Sequence, residues 1–196
     1  MKTKKVLEIY RNCGAYLEAT EIEHFLLNSG KHSASFLQSA TVFQHPRQTR
    51  DIALWILTEI NRIDWDIENK IEVVAVPAVG AIPLGCEVAR ILGVKIIYAE
   101  KGLEGEMYFR KGFEFEPGTR FLVLEDVITS GATLKKVINL VGNKGGEVII
   151  CGAVIDRSGT HLDFGHSFAR SVKLDLPTFA PQDCPYCKAG SQAVKI

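Results

Sequence analysis

Apolar residues fall into two rhythms along this 196-residue chain. Helical spacing puts Val6, Ile9, Tyr10 and Cys13 on one face of a segment over 3–13, and Gly14 is placed to end it. A second helix is predicted over 47–63, where Ile52, Trp55, Ile56, Ile60 and Ile63 share a face after Pro46. A third carries Leu84, Val88, Ile91 and Leu92 and stops at Gly93. A fourth carries Leu134, Val137, Ile138 and Val141. Between them lie apolar-rich runs at 71–76, 94–99, 121–124 and 147–155, of which 121–124 is unbroken. These have the length and lack of alternation expected of strands buried on both faces of a parallel sheet. Another strand is predicted over 171–176. The segment 23–44 reads as a hairpin, with its turn at Asn28–Lys31 and Phe36-Leu37 opening the return strand. Residues 107–115 alternate weakly and are expected to pair back on the preceding strand.

Strand–helix–strand order implies an α/β fold, a parallel twisted sheet flanked by helices, with ligands beyond the strands' C-terminal ends. Four features fall on that edge: Ala78-Val79-Gly80-Ala81, the charged loop over 100–106, the stretch 125–133 and Asp156-Arg157. The third is the richest in chemistry. Phe121–Leu124 are followed by Glu125, Asp126, Val127 and Ile128, then by Thr129, Ser130, Gly131, Ala132 and Thr133, then by a helix. Free amides at a helix N-terminus, with a glycine that permits close approach, suit a phosphate. The two acids would repel that phosphate and suit vicinal hydroxyls instead. Together they describe a ribose 5-phosphate site. The small residues at Val79 and Gly80 permit close approach of a second anion.

Composition narrows the class. Lys+Arg and Asp+Glu are both 23, so no net field recruits nucleic acid or a membrane surface. No apolar run reaches the ~18 residues of a membrane span. The basic N-terminus lacks the apolar core of a secretory leader. The five cysteines, Cys13, Cys86, Cys151, Cys184 and Cys187, are odd in number and suit buried thiols in the cytoplasm. The pair in Cys184-Pro185-Tyr186-Cys187 has zinc-ligand spacing, with His161 or His166 as partners. With no second cysteine pair, a plain tail turn is the expectation.

The string E-D-V-I-T-S-G-A-T at 125–133 resembles the phosphoribosyl pyrophosphate (PRPP) motif of type I phosphoribosyltransferases. Over most of its length the chain is similar to orotate phosphoribosyltransferases. L-L-N-S-G-K-H-S-A-S-F-L-Q resembles their substrate hood, P-A-V-G-A-I-P-L-G their pyrophosphate loop, and V-I-D-R the strand end that supplies an arginine to orotate. The Cys-Pro-x-Cys resembles the C-terminus of shorter-looped relatives. The resemblance implies a single domain over 1–196, with helix and hood over 1–46, an α/β core over 47–176 and a tail over 177–196 as a candidate part of the hood.

The implied reaction converts orotate and PRPP to orotidine 5-monophosphate and pyrophosphate, with magnesium carried by PRPP. Its implied PRPP ligands are residues 125–133 with Lys101, Val79 and Gly80. Its implied orotate contacts are Thr129, Arg157, Lys31 and Phe36, since a guanidinium fork matches the substrate's carboxylate. Lys101 and Asp126 are the implied catalytic residues, and Arg110 and Lys111 are candidate lid cations. A homodimer is implied in which each lid serves its neighbour. The family pattern is broken at Glu100, Gly80 and Asn28, where basic residues are usual. A purine-base phosphoribosyltransferase and a non-catalytic PRPP-binding regulator are the alternatives.

Overall fold

The computed structural model describes residues 2–27 and 29–196. Asn28, part of the expected hairpin turn, lies outside them. The elements in order are α1 (Lys2–Asn12), β1 (Tyr16–Glu18), β2 (Glu23–Leu26), β3 (His32–Ser33), β4 (Ser35–Leu37), α2 (Ser39–Phe43), α3 (Pro46–Ile63) and β5 (Val73–Pro77). There follow α4 (Ile82–Leu92), β6 (Lys95–Lys101), β7 (Met107–Phe109), β8 (Arg120–Ile128), α5 (Ala132–Asn143), β9 (Glu147–Asp156), β10 (Phe168–Lys173), β11 (Thr178–Phe179), α6 (Pro185–Lys188) and β12 (Gln192–Val194).

The main sheet has the order β10-β9-β8-β5-β6-β7. Its strands are parallel except β7, which pairs antiparallel with β6. Strand alternation sends Leu122 and Leu124 to one face and Phe121 and Val123 to the other. On the first face they meet α1, α3 and α4 through Tyr10, Ile52, Ile56 and Leu84. On the second they meet α5 through Leu134, Val137 and Val141. Phe121 to Leu124 are all fully buried, each stabilising the fold by about 1.5–3 kcal/mol. Cover on both faces explains why these strands show no polar alternation.

Three expectations are corrected. β8 does not stop before the acids; Glu125 and Val127 pair with Ala153 and Ile155 of the longer β9, which carries the strand to Ile128. The last core strand spans Phe168–Lys173, earlier than 171–176, with Ala169 and Val172 turned inward. The 23–44 segment is a hairpin only at its start. β2 pairs with β3, whereas Phe36-Leu37 belong to β4, which pairs with β1, and residues 39–43 form a helix.

A second sheet, of order β11-β3-β2-β12, stands over the C-terminal edge of the core. Its outer strands come from the tail: β11 pairs with β3, and β12 runs parallel to β2. The hood is therefore built from both ends of the chain.

Candidate active site

Parallel pairing brings the loops after β5, β6, β8 and β9 to one edge. The loop after β8 is a cradle. Residues 127–134 with Glu125 enclose about 30 Å³ at the start of α5, a space the size of a small anion. Gly131 makes the turn with φ at +75°, and an added Cβ would meet the Phe164 ring at 3.0 Å. Only glycine fits here, because backbone conformation and space both exclude a side chain. The Ser130 hydroxyl accepts a 3.4 Å bond from the Ala132 amide, while Thr129 and Thr133 are exposed at the mouth.

The two acids stand in different surroundings. Glu125 is buried on the cradle side, and burial first, with the Asp126 charge second, raises its pKa well above the usual carboxylate range. Asp126 is half-buried and faces the loop after β5, where a Cβ on Gly80 would lie 3.7 Å from its Oδ2. Gly80 thus leaves an open space between a carboxylate and a bare backbone loop, beside exposed Val79.

Next to the cradle is a second cavity of about 310 Å³. The core lends it Thr129, Ser130, Arg157, Ser158 and Thr160, and the hood lends it Leu27, Ser29, Lys31 and Thr178. Thr129 and Ser130 belong to both cavities. Arg157 is only 5% exposed. It donates from Nη2 to Ser33 Oγ at 3.0 Å and from Nη1 to the Ser35 carbonyl at 3.2 Å, and its Nε finds no partner. Among the described residues no carboxylate pairs with it; neighbouring Asp156 pairs with Arg170 at 3.6 Å. Burial lowers its pKa, but a guanidinium stays charged. A buried, uncompensated cation at the wall of a cavity is costly unless an anion arrives there. Phe36 does not line this cavity; its ring packs on Phe25 at 5.9 Å.

The lid is a hairpin tip between β6 and β7. The Gly102 amide donates to the Glu106 carbonyl, and Lys136 Nζ of α5 donates to the Gly105 carbonyl at 2.6 Å. Lys101 ends β6, exposed and without an ion pair among the described residues. Arg110 is not free: Glu100 holds it at 2.7 Å and also accepts from the Tyr108 hydroxyl at 3.0 Å. Lys111 is exposed in the turn that follows. A larger cavity, about 790 Å³ beside Glu72, Lys95 and Glu116, opens at the opposite end of the sheet and touches none of these groups.

A cluster that sequence spacing missed lies in the hood. His24 and His32 are both buried and meet Cys184 and Cys187. His161 and His166 are exposed and take no part. Cys187 and Cys86 are exposed, contrary to the expectation of buried thiols.

A model of the phosphoribosyl transferase domain matches residues 38–179. An orotate phosphoribosyltransferase of Caldanaerobacter subterraneus subsp. tengcongensis is 42% identical over 195 residues, covering 100% of this chain and 97% of that protein. The chain belongs to the orotate phosphoribosyltransferase family. A second member of the family, from Thermus thermophilus, is 41% identical and covers 94% of this chain and 96% of that protein. The crystal structure of the Aeropyrum pernix orotate phosphoribosyltransferase shares the fold, with a TM-score of 0.67 at 19% identity over 86% of this chain and 93% of that one. The family's mixed α/β architecture is the one described above.

Proposed function

We propose that this protein transfers the 5-phosphoribosyl group of PRPP to orotate, releasing pyrophosphate, as a step of pyrimidine nucleotide synthesis. The observation that carries the choice of base is Arg157, a buried guanidinium without a carboxylate partner, beside a cavity that opens onto the phosphate cradle. Orotate is a planar anion whose carboxylate can take the fork, and a neutral purine would leave the cation unpaired.

The 5-phosphate sits on the amides of residues 129–133, where the α5 dipole favours negative charge. Asp126 accepts from the ribose hydroxyls. The diphosphate lies along Val79 and Gly80, and Lys101 reaches it as the lid closes. A bond forms between an orotate ring nitrogen and the anomeric carbon while the bond from that carbon to the diphosphate oxygen breaks, and the proton that the nitrogen gives up leaves with the diphosphate. Positive charge builds on the sugar, close to the Asp126 carboxylate, and negative charge departs toward Lys101. Thr129 and Lys31 flank the base, opposite Arg157.

The donor set fits magnesium. Asp126 is a half-exposed oxygen ligand beside the space that Gly80 leaves clear, and among the described residues no three carboxylates form a cage there. That is the arrangement expected for an ion that arrives on its phosphates. When bound it neutralises charge on the leaving diphosphate. We assign the protein to the cytoplasm, supported by five unpaired thiols. We further assign it a homodimeric state, supported by the family resemblance and by the bare Leu103 at the lid tip.

Incubating the protein with magnesium, PRPP and either orotate, adenine, xanthine or no base, and following pyrophosphate, tests the reading. Release with orotate alone is expected. Release with a purine instead would establish the purine-base alternative, and PRPP binding without release would establish the regulator.

A further inference from the structure

The hood cluster has no place in phosphoribosyl transfer. His24 Nε2 lies 2.9 Å from His32 Nδ1, 3.5 Å from Cys187 Sγ and 3.6 Å from Cys184 Sγ. His32 Nδ1 lies 3.3 Å from Cys187 Sγ, and the four ligand atoms all fall within 4.8 Å of one another. An imidazole nitrogen has one in-plane site, either a lone pair or a proton. His24 Nε2 cannot make three hydrogen bonds with it, so a hydrogen-bond network does not account for three neighbours at these distances. One cation at the centre satisfies all four groups together. Tetrahedral bonds of ~2.0–2.1 Å to nitrogen and ~2.3 Å to sulfur place ligand atoms about 3.3–3.8 Å apart; the histidine–cysteine distances of 3.3, 3.5 and 3.6 Å match, and the two imidazole nitrogens, at 2.9 Å, stand slightly closer.

The surroundings agree with a metal. The other nitrogen of His24, Nδ1, meets Ser191 Oγ at 3.0 Å; that hydroxyl can accept from an Nδ1–H, the tautomer that leaves the Nε2 lone pair free to face the cluster. The Tyr186 ring stacks on His24 at 5.6 Å and shields that side. His24 and Cys184 are fully buried, and two nitrogen and two sulfur donors in this shape select zinc.

We propose that His24, His32, Cys184 and Cys187 form a closed, structural zinc site that fastens the tail to the hood. Four protein ligands leave no open position, so the ion holds structure and performs no chemistry. It joins residues 160 apart, β2 and β3 on one side and the turn before β12 on the other. Its effect reaches the base cavity by short steps. His32 pairs with Phe179 and Ser33 with Thr178; Thr178 lines the cavity, and Ser33 holds Arg157.

The test is metal content by mass spectrometry on the purified full chain, before and after chelation and refilling with zinc. About one zinc per chain is expected, falling below about a tenth in Cys187→Ser and in His32→Ala. Cys187 is exposed, so its serine variant keeps the fold and isolates the ligand role. Cobalt substitution gives a second readout: a thiolate-to-cobalt charge-transfer band in the parent protein, weakened in Cys187→Ser. Three results would overturn the proposal: a refilled protein without zinc, full zinc in Cys187→Ser, or a Cys184–Cys187 disulfide in the protein purified under air.

Discussion

Replacing Arg157 by alanine separates recognition from architecture. The side chain makes two hydrogen bonds to the hood, to Ser33 Oγ and the Ser35 carbonyl, and neutralises no carboxylate. Losing two hydrogen bonds costs about 1 kcal/mol each, and removing an uncompensated buried cation returns a comparable amount. Unfolding in urea should therefore show a stability within about 1 kcal/mol of the parent protein. Breaking a buried ion pair would instead cost about 3–5 kcal/mol. Substrate use should behave quite differently. A bidentate bond to a carboxylate, at about 1.5–3 kcal/mol per charged hydrogen bond, is taken as about 3–4 kcal/mol for the pair. At 1.36 kcal/mol per decade, kcat/KM for orotate falls about 150- to 900-fold. The KM for PRPP should move less than about threefold, because Arg157 lies outside the phosphate cradle. Arg157→Lys should recover only part of the loss, since it keeps the charge and not the fork. Equal losses for both substrates, or a large loss of stability with orotate use intact, would refute this reasoning.

Asp126→Asn should lower kcat by about 10²-fold or more, with an unchanged unfolding midpoint, because a half-buried carboxylate facing the reacting sugar is replaced by a neutral isostere; steady-state kinetics checks it. Gly131→Ala should destabilise the fold by at least about 1 kcal/mol and raise the KM for PRPP, since it forces a side chain into a φ of +75° against Phe164. Glu125 has a pKa raised by burial, so the native state holds its proton more tightly than the unfolded chain does. Its contribution to stability is complete below the ordinary glutamate pKa and is lost as pH rises through the elevated native one. Urea titrations from acid to neutral pH should show a falling component that Glu125→Gln removes, and an identical slope in the variant would contradict the assignment. Lys101→Ala should reduce kcat more than it changes the KM for orotate, as Lys101 is a lid cation that makes no ion pair among the described residues.

The core was legible because its signals are local. Strands with cover on both faces read as apolar-rich runs without polar alternation, and the buried stripe of α5 follows helical spacing residue by residue. The cradle was legible for the same reason, being one continuous stretch from Glu125 to Thr133. What failed depended on distant partners. No local rule shows that β9 is long enough to carry β8 past two acids. The edge strand β10 buries only Ala169 and Val172, so Leu174 and Leu176 drew the expected strand too far along. The hood resemblance implied Phe36 as a base contact, but its strand pairs with β1 and its ring packs on Phe25. His24 and His32 carried no signal by themselves, because their companions lie in the tail. A cysteine pair at metal spacing with two ligands still to be found was the one usable clue.

The two outer hood strands, supplied by residues 178–179 and 192–194, also set an order of events during synthesis. The residues of the phosphate cradle, which run to Leu134, leave the ribosome before Thr178, which lines the neighbouring cavity. On the proposed function, a nascent product would thus present the sugar-phosphate cradle before the wall that tells one base from another.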